Sequence, residues 1–191
     1  MTEPKTTVDS RLSDQIGDIY EFGWDAEFQE VLVTGYEGVA VLTAAGEVVC
    51  TRPLPSDVRK IDQQHTPQGW RVLVRENSAL SILSIPPDGS PDVLLNDSVP
   101  EPHTACWSPC GTLVAVGSVG TDLSVWDTNT GLLHWKRSIA WDVDDFLTPP
   151  KLSVKGWTPD GKRILATAEY LAARALNVWD ADSGEVLAFV D

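Results

Sequence analysis

The feature that most constrains this chain is an internal repeat in its second half. One copy runs His103-Thr104-Ala105-Cys106-Trp107-Ser108-Pro109-Cys110-Gly111-Thr112-Leu113-Val114-Ala115-Val116-Gly117-Ser118, then Leu123-Ser124-Val125-Trp126-Asp127-Thr128-Asn129-Thr130-Gly131. The other runs Val154-Lys155-Gly156-Trp157-Thr158-Pro159-Asp160-Gly161-Lys162-Arg163-Ile164-Leu165-Ala166-Thr167-Ala168, then Leu176-Asn177-Val178-Trp179-Asp180-Ala181-Asp182-Ser183-Gly184. The landmarks fall in the same order: Trp-Ser/Thr-Pro-x-Gly, an apolar run, a second apolar run ending in Trp-Asp, and a Gly five residues after that Trp. The offset is 50 residues at the first Trp and 53 at the second, with the three extra residues placed between strands around Tyr170 to Arg174. Repetition at this period marks an array of supersecondary units, each burying its faces on its neighbours.

Each landmark has a physical reason. Ser-Pro-x-Gly is turn chemistry, since Pro presets φ and Gly supplies positive φ where a strand reverses. Leu113-Val114-Ala115-Val116 and Ile164-Leu165-Ala166 are short apolar runs, as expected of strands buried on both faces. Asp-Thr-Asn-Thr-Gly and Asp-Ala-Asp-Ser-Gly read as tight hairpin loops. A fourth strand follows in each copy, at Leu132-Leu133-His134-Trp135 and Val186-Leu187-Ala188-Phe189.

The first half follows the same plan with weaker signatures. Ile19 to Asp25, Glu30 to Gly35, Val39 to Thr43 and Val48 to Cys50 read as four strands, turning at Ala44-Ala45-Gly46. Val58 to Gln64, Trp70 to Val74, Leu80 to Ile85 and Asp92 to Leu95 read as four more, with a strong turn at Pro86-Pro87-Asp88-Gly89. No segment has a convincing helical period, and residues 1–14 read as a disordered or loosely docked tail. Leu171-Ala172-Ala173-Arg174-Ala175 fits a loop or strand extension.

Four short strands per unit describe a propeller blade. The two clear copies, about residues 101–191, resemble WD repeats, carrying the dipeptide at Trp126-Asp127 and Trp179-Asp180. The fold class expected is all-β, with blades of four antiparallel strands at about 15–55, 56–98, 99–138 and 139–191. The resemblance implies a buried network of His, Asp, Ser/Thr and Trp in each blade. The third repeat offers His103, Ser118 and Trp126, with Gly120 at the usual Asp position and Asp122 displaced. The fourth has Ser153 in place of His. His103 is therefore read as structural.

Four blades leave a closure problem, because WD-type propellers usually have seven or eight. The chain reads as a fragment of a longer propeller, as a half-propeller that pairs with another copy, or as an open arc. Its stop at Phe189-Val190-Asp191 favours truncation or pairing over a finished ring.

The resemblance implies a non-catalytic scaffold whose loops bind other proteins or peptides. Trp141, Asp142, Asp144 and Asp145 form the densest acidic cluster and are the candidate protein-binding residues. The net charge of -14 makes nucleic acid an unexpected ligand, since an acid-rich surface repels phosphate backbones. No signal sequence or apolar span is read, so membrane association is not expected and a cytoplasmic location is the default. Cys50, Cys106 and Cys110 do not suggest a disulfide framework. A three-ligand metal site at His103, Cys106 and Cys110 is the weaker alternative to a small core residue and a turn residue. No catalytic or metal-binding residue and no cofactor is expected. Two other readings stand beside the scaffold. One is a propeller enzyme or small-ligand sensor, because Asp127 to Trp135 also resembles the docking motif of quinoprotein dehydrogenases. The other is a truncated, non-functional propeller fragment.

Overall fold

The computed structural model describes residues 10–55, 57–77, 79–85, 92–95, 99, 101–139, 150–170 and 173–190. Among the described residues, sixteen strands form four separate antiparallel sheets, each a meander of four consecutive strands. Blade 1 contains β1 (Ile19–Asp25), β2 (Glu30–Gly35), β3 (Gly38–Thr43) and β4 (Val48–Pro53). Blade 2 contains β5 (Val58–Thr66), β6 (Gly69–Glu76), β7 (Ala79–Ile85) and the short β8 (Val93–Leu94). Blade 3 contains β9 (Pro102–Trp107), β10 (Leu113–Ser118), β11 (Asp122–Asp127) and β12 (Leu133–Ser138). Blade 4 contains β13 (Lys151–Trp157), β14 (Arg163–Tyr170), β15 (Ala173–Asp180) and β16 (Val186–Val190). The all-β class and the four blade-like units expected from the repeat are therefore present. The extra residues of the last repeat lengthen β14 and β15. The Pro86 to Gly89 turn falls outside the described residues.

The recurring Asp and Gly close the turn between the third and fourth strands. In blade 3, Asp127 Oδ1 accepts hydrogen bonds from the Asn129 and Thr130 amides, at 3.0 and 2.8 Å. In blade 4, Asp180 Oδ1 does the same with Asp182 and Ser183, at 3.1 and 2.8 Å. Gly131 and Gly184 then turn the chain with φ of 71° each, a conformation that Gly adopts without a Cβ penalty. The Ser and Thr of Trp-Ser/Thr-Pro work similarly. Ser108 Oγ accepts from the Leu113 amide and Thr158 Oγ1 from the Arg163 amide, both at 3.0 Å.

Register shows how the blades stack. The second and third strands pair Leu32 with Val41, Leu73 with Ile82, Ala115 with Val125 and Leu165 with Val178. Side chains alternate across a strand, so these pairs occupy one equivalent face of each sheet. In the first three blades that face is buried against the following blade. Leu32, Val39 and Val41 pack with Trp70, Val72, Val74, Leu83 and Ile85 of blade 2. Leu73, Leu80 and Ile82 pack with Trp107, Val114, Val116 and Trp126 of blade 3. Ala115, Leu123, Val125 and Trp135 pack with Val154, Ile164, Ala166 and Trp179 of blade 4. Between the blades, the hydrophobic core of the described residues is thus a series of three junctions, each shared by two blades.

One element differs from the expected tail. α1 (Ser10–Ile16) is a single helical segment docked on blade 1, with Leu12 and Ile16 buried against Val33 and Ala40. The Glu37 amide donates to the Ile16 carbonyl at 2.8 Å and fixes the end of the helix on the β2–β3 turn. It covers the face of blade 1 that in the other blades is covered by the preceding blade. Among the described residues no helix is long and apolar enough to cross a membrane.

Candidate functional site

The turns at one end of the array are held by side chains from the neighbouring blade. Arg71 of β6 donates to the Thr128 carbonyl and, at 3.1 Å, to Thr128 Oγ1. Thr128 Oγ1 in turn donates to the Gly111 carbonyl at 2.7 Å, tying two turns of blade 3 together. Trp135 Nε1 donates 2.8 Å to the Ala181 carbonyl, and Arg137 donates 3.3 Å to that of Ser183, so both hold the last turn of blade 4. Arg52 reaches from blade 1 to the Ser84 carbonyl at 3.1 Å and to the Asp92 carboxylate. Bonds of this kind satisfy turn carbonyls while fixing loop positions relative to the sheets.

A polar seam runs between β1 and β5. Lys60 Nζ lies 2.7 Å from Glu21 Oε2 and 2.9 Å from Gln63 Oε1, with only 1% of the lysine side chain exposed. A shift of register between Lys60 and Asp62 turns Asp62 toward blade 3, opposite Leu73. Burial pushes its carboxyl up to about 6, against hydrogen bonds from the Gln63 and Trp107 amides that favour the charged form. Nearby, His65 Nε2 lies 3.0 Å from Glu30 Oε2, and its ring stacks on Phe28.

The cysteines occupy contrasting environments. Cys106 faces blade 4 on β9, and burial together with the Asp62 charge pushes its thiol up to about 11. Cys110 is exposed in the following turn. Hydrogen bonds from Thr112 and Ser108 lower its thiol to about 7, with Thr112 Oγ1 at 3.0 Å and Ser108 Oγ at 3.5 Å. Hydroxyl groups stabilise a thiolate but cannot take its proton at neutral pH. Among the described residues no group of three or more His, Cys, Asp or Glu could hold a metal ion, so His103, Cys106 and Cys110 do not converge.

The residues expected to form a buried network are not joined to one another. Ser118 Oγ donates to the Asp122 carbonyl at 3.3 Å, His103 is exposed, and Trp126 Nε1 has no hydrogen-bond partner among the described residues. Trp126 instead contributes apolar area to the junction with blade 2. Trp141, Asp142, Asp144 and Asp145 lie outside the described residues. They belong to the connection between β12 and β13.

Asp62 and the Cys110 hydroxyl shell are features that the strand reading missed. Asp62 breaks the apolar alternation at a bulge, and the only warning is a carboxylate inside an otherwise regular strand. Cys110 is flanked by Ser108 and Thr112, a spacing that tight-turn geometry converts into contact.

These features define a repeat protein of blade-like β-sheets whose turns are fixed by cross-blade bonds. No protein-family model and no curated protein matches the chain.

Proposed function

We propose that this chain is a WD-type propeller segment acting as a non-catalytic scaffold for other proteins, in the cytoplasm. The observation that carries this reading is the cross-blade clamping of turns, above all Arg71 on Thr128 and Trp135 on Ala181. A loop already held in place loses little conformational freedom when a partner docks, and that saving appears as affinity. The partner chemistry follows from charge. Independently of the clamped turns, which lie at the other end of β12, the connection between β12 and β13 carries Asp142, Asp144 and Asp145 close to Trp141 in sequence, which suits a basic peptide with an apolar or cationic residue set against the indole.

The test is a fluorescence-anisotropy titration of the full chain with a labelled Lys/Arg-rich peptide, alongside an acidic peptide of equal length. The basic peptide binds, and the affinity falls as salt rises. The combined Asp142→Asn, Asp144→Asn and Asp145→Asn variant binds at least about tenfold more weakly, the loss expected when three charges are removed from a basic peptide's site. Equal binding of both peptides, or a variant that binds as the parent does, contradicts this assignment.

A further inference from the structure

Among the described residues, Thr121 alone of the β-branched side chains sits at positive φ, at 72°. A branched Cβ crowds the backbone in that region, which is why residues of this type rarely enter it. Gly120, just before it, has a φ of 110°. The two residues lie in the turn between β10 and β11, and Thr121 is buried. Backbone in a disfavoured conformation persists where its surroundings over-determine it. The contacts that do so here are specific.

The turn grips the chain on both sides of the connection that leads from β12 to β13. On the outgoing side, the Ile139 amide donates to the Thr121 carbonyl at 3.2 Å, and the Thr121 hydroxyl donates to the Ile139 carbonyl at 3.2 Å. On the incoming side, the Gly120 amide donates to the Pro150 carbonyl at 2.8 Å, and Val119 pairs with Lys151 in an antiparallel bridge. The Val119 amide also donates to the Glu101 carbonyl at 3.1 Å, which ties the turn to the start of its own blade. Ten residues separate Ile139 from Pro150, yet adjacent residues of one turn hold both.

Blade 1 shows what the strain is for. There the outgoing bond is also made, from the Leu54 amide to the Glu37 carbonyl at 2.8 Å. The β2–β3 turn that makes it has only Tyr36 and Glu37 between the paired Gly35 and Gly38, and neither is at positive φ. The blade 3 turn has three residues, Val119 to Thr121, and passes through positive φ at two of them. The outgoing bond alone therefore needs no strain. The longer turn adds reach to the next blade, through Gly120 and Pro150. Glycine at position 121 would fit the φ but would lack the hydroxyl that holds Ile139.

We propose that the β10–β11 turn is a clasp that couples Ile139 to Pro150, with the Thr121 hydroxyl as its lock. The hydroxyl bond to Ile139 keeps Thr121 in the left-handed region, and that backbone aims the Gly120 N–H at Pro150. Without the hydroxyl bond Thr121 relaxes toward the conformations its side chain favours, and the Gly120 amide moves with it. The two ends are thus held together and released together. Thr121 is a positioning residue in this device, and the coupling is independent of what the connection binds.

Hydrogen exchange on the full chain, read as amide protection factors, tests it in the parent, Thr121→Val and Thr121→Ser. The valine keeps the branch and removes the hydroxyl, whereas the serine keeps the hydroxyl. Thr121→Val lowers the protection of both the Ile139 and the Gly120 amides by about tenfold, the scale of one lost hydrogen bond. Thr121→Ser leaves both near the parent values, and Val114, Ala115 and Val116 keep their protection in both variants. Loss at Ile139 with Gly120 unchanged overturns the coupling. Parent-like protection at both amides in Thr121→Val overturns the lock. Equal losses in the serine and valine variants overturn it as well, because they assign the effect to the methyl group. Loss of protection at Val114 to Val116 in Thr121→Val overturns the clasp as a local device.

Discussion

The Trp157 indole donates its N–H to the Cys106 carbonyl, 2.9 Å away across the boundary between the third and fourth blades. Both atoms belong to inner strands, and the bond pins β13 to β9 where the blades lie closest. Trp157→Phe keeps most of the apolar ring and removes the donor. It should cost about 1 kcal/mol, the usual net value of one hydrogen bond, as read from urea denaturation midpoints. An unchanged midpoint would mean that this bond does not contribute to the junction.

Close backbone approach sets a second limit on the same junction. A Cβ on Gly117 would lie 2.2 Å from the Leu152 carbonyl oxygen, a backbone atom that moves only if blade 4 moves. Gly117→Ala should therefore destabilise by about 1–3 kcal/mol or more, the range for overpacking a core. Gly23→Ala is the milder comparison, because its Cβ meets the end of the flexible Gln63 side chain rather than backbone, and that side chain can move at the cost of its hydrogen bond from Lys60. Thermal melts of the two variants should separate clearly, with Gly117→Ala the lower.

Asp62 ties stability to pH. Its folded carboxyl is raised to about 6 from an ordinary value of 3.8, so between these values the folded state binds more proton than the unfolded state. Stability contributed by this group is therefore highest below pH 3.8, declines as pH rises to about 6, and stays reduced above that. Asp62→Asn removes the charge that burial opposes and keeps an acceptor for the Gln63 and Trp107 amides. Its denaturation midpoint at pH 7 should exceed that of the parent, and the difference should shrink as pH falls from 6 toward 4. A variant less stable than the parent at pH 7 would count against a buried, penalised carboxylate.

The three thiols should be distinguishable by alkylation. Cys110 is exposed with its thiol lowered to about 7, whereas burial raises both Cys106 and Cys50. Iodoacetamide at pH 7.5 should label Cys110 first, since the thiolate is the reactive form. Thr112→Val removes the nearer hydroxyl and should shift the midpoint of the rate profile upward. Peptide mapping that finds Cys106 or Cys50 labelled first would contradict these environments.

Much of the architecture was legible because turn chemistry and apolar runs repeat together. Trp126-Asp127 and Trp179-Asp180 marked strand ends, and the same aspartates accept the turn amides that make the hairpins. The first two blades were legible from apolar runs alone, since Leu32, Val41, Leu73 and Ile82 keep the spacing without the signature. α1 was not legible. It is only seven residues long, has no acidic residue in its first turn, and rests on tertiary contacts of Leu12 and Ile16. Trp24 was not grouped with Trp107 and Trp157, because Asp25-Ala26-Glu27-Phe28 follows it in place of a Pro-x-Gly turn. Yet Asp25 Oδ1 accepts from the Glu27 and Phe28 amides at 2.9 and 3.0 Å, a different route to a tight turn. The candidate site was the least legible part. Arg71, Trp135 and Arg137 clamp turns 46 to 57 residues away in sequence, a relationship that local pattern does not encode.

The central structural claim is that stability resides in the junctions, each shared by two blades. Native-state hydrogen exchange tests it most directly. Amides of Val114, Ala115 and Val116 in blade 3 and of Ile164, Leu165 and Ala166 in blade 4 should all be slow to exchange, because Ala115, Ile164 and Ala166 line the core between the two blades. Joint protection of these six amides is the expected result. Rapid exchange throughout β14 while β10 stays protected would show that blade 4 opens on its own, and would contradict a shared junction as the unit that holds the loops in place.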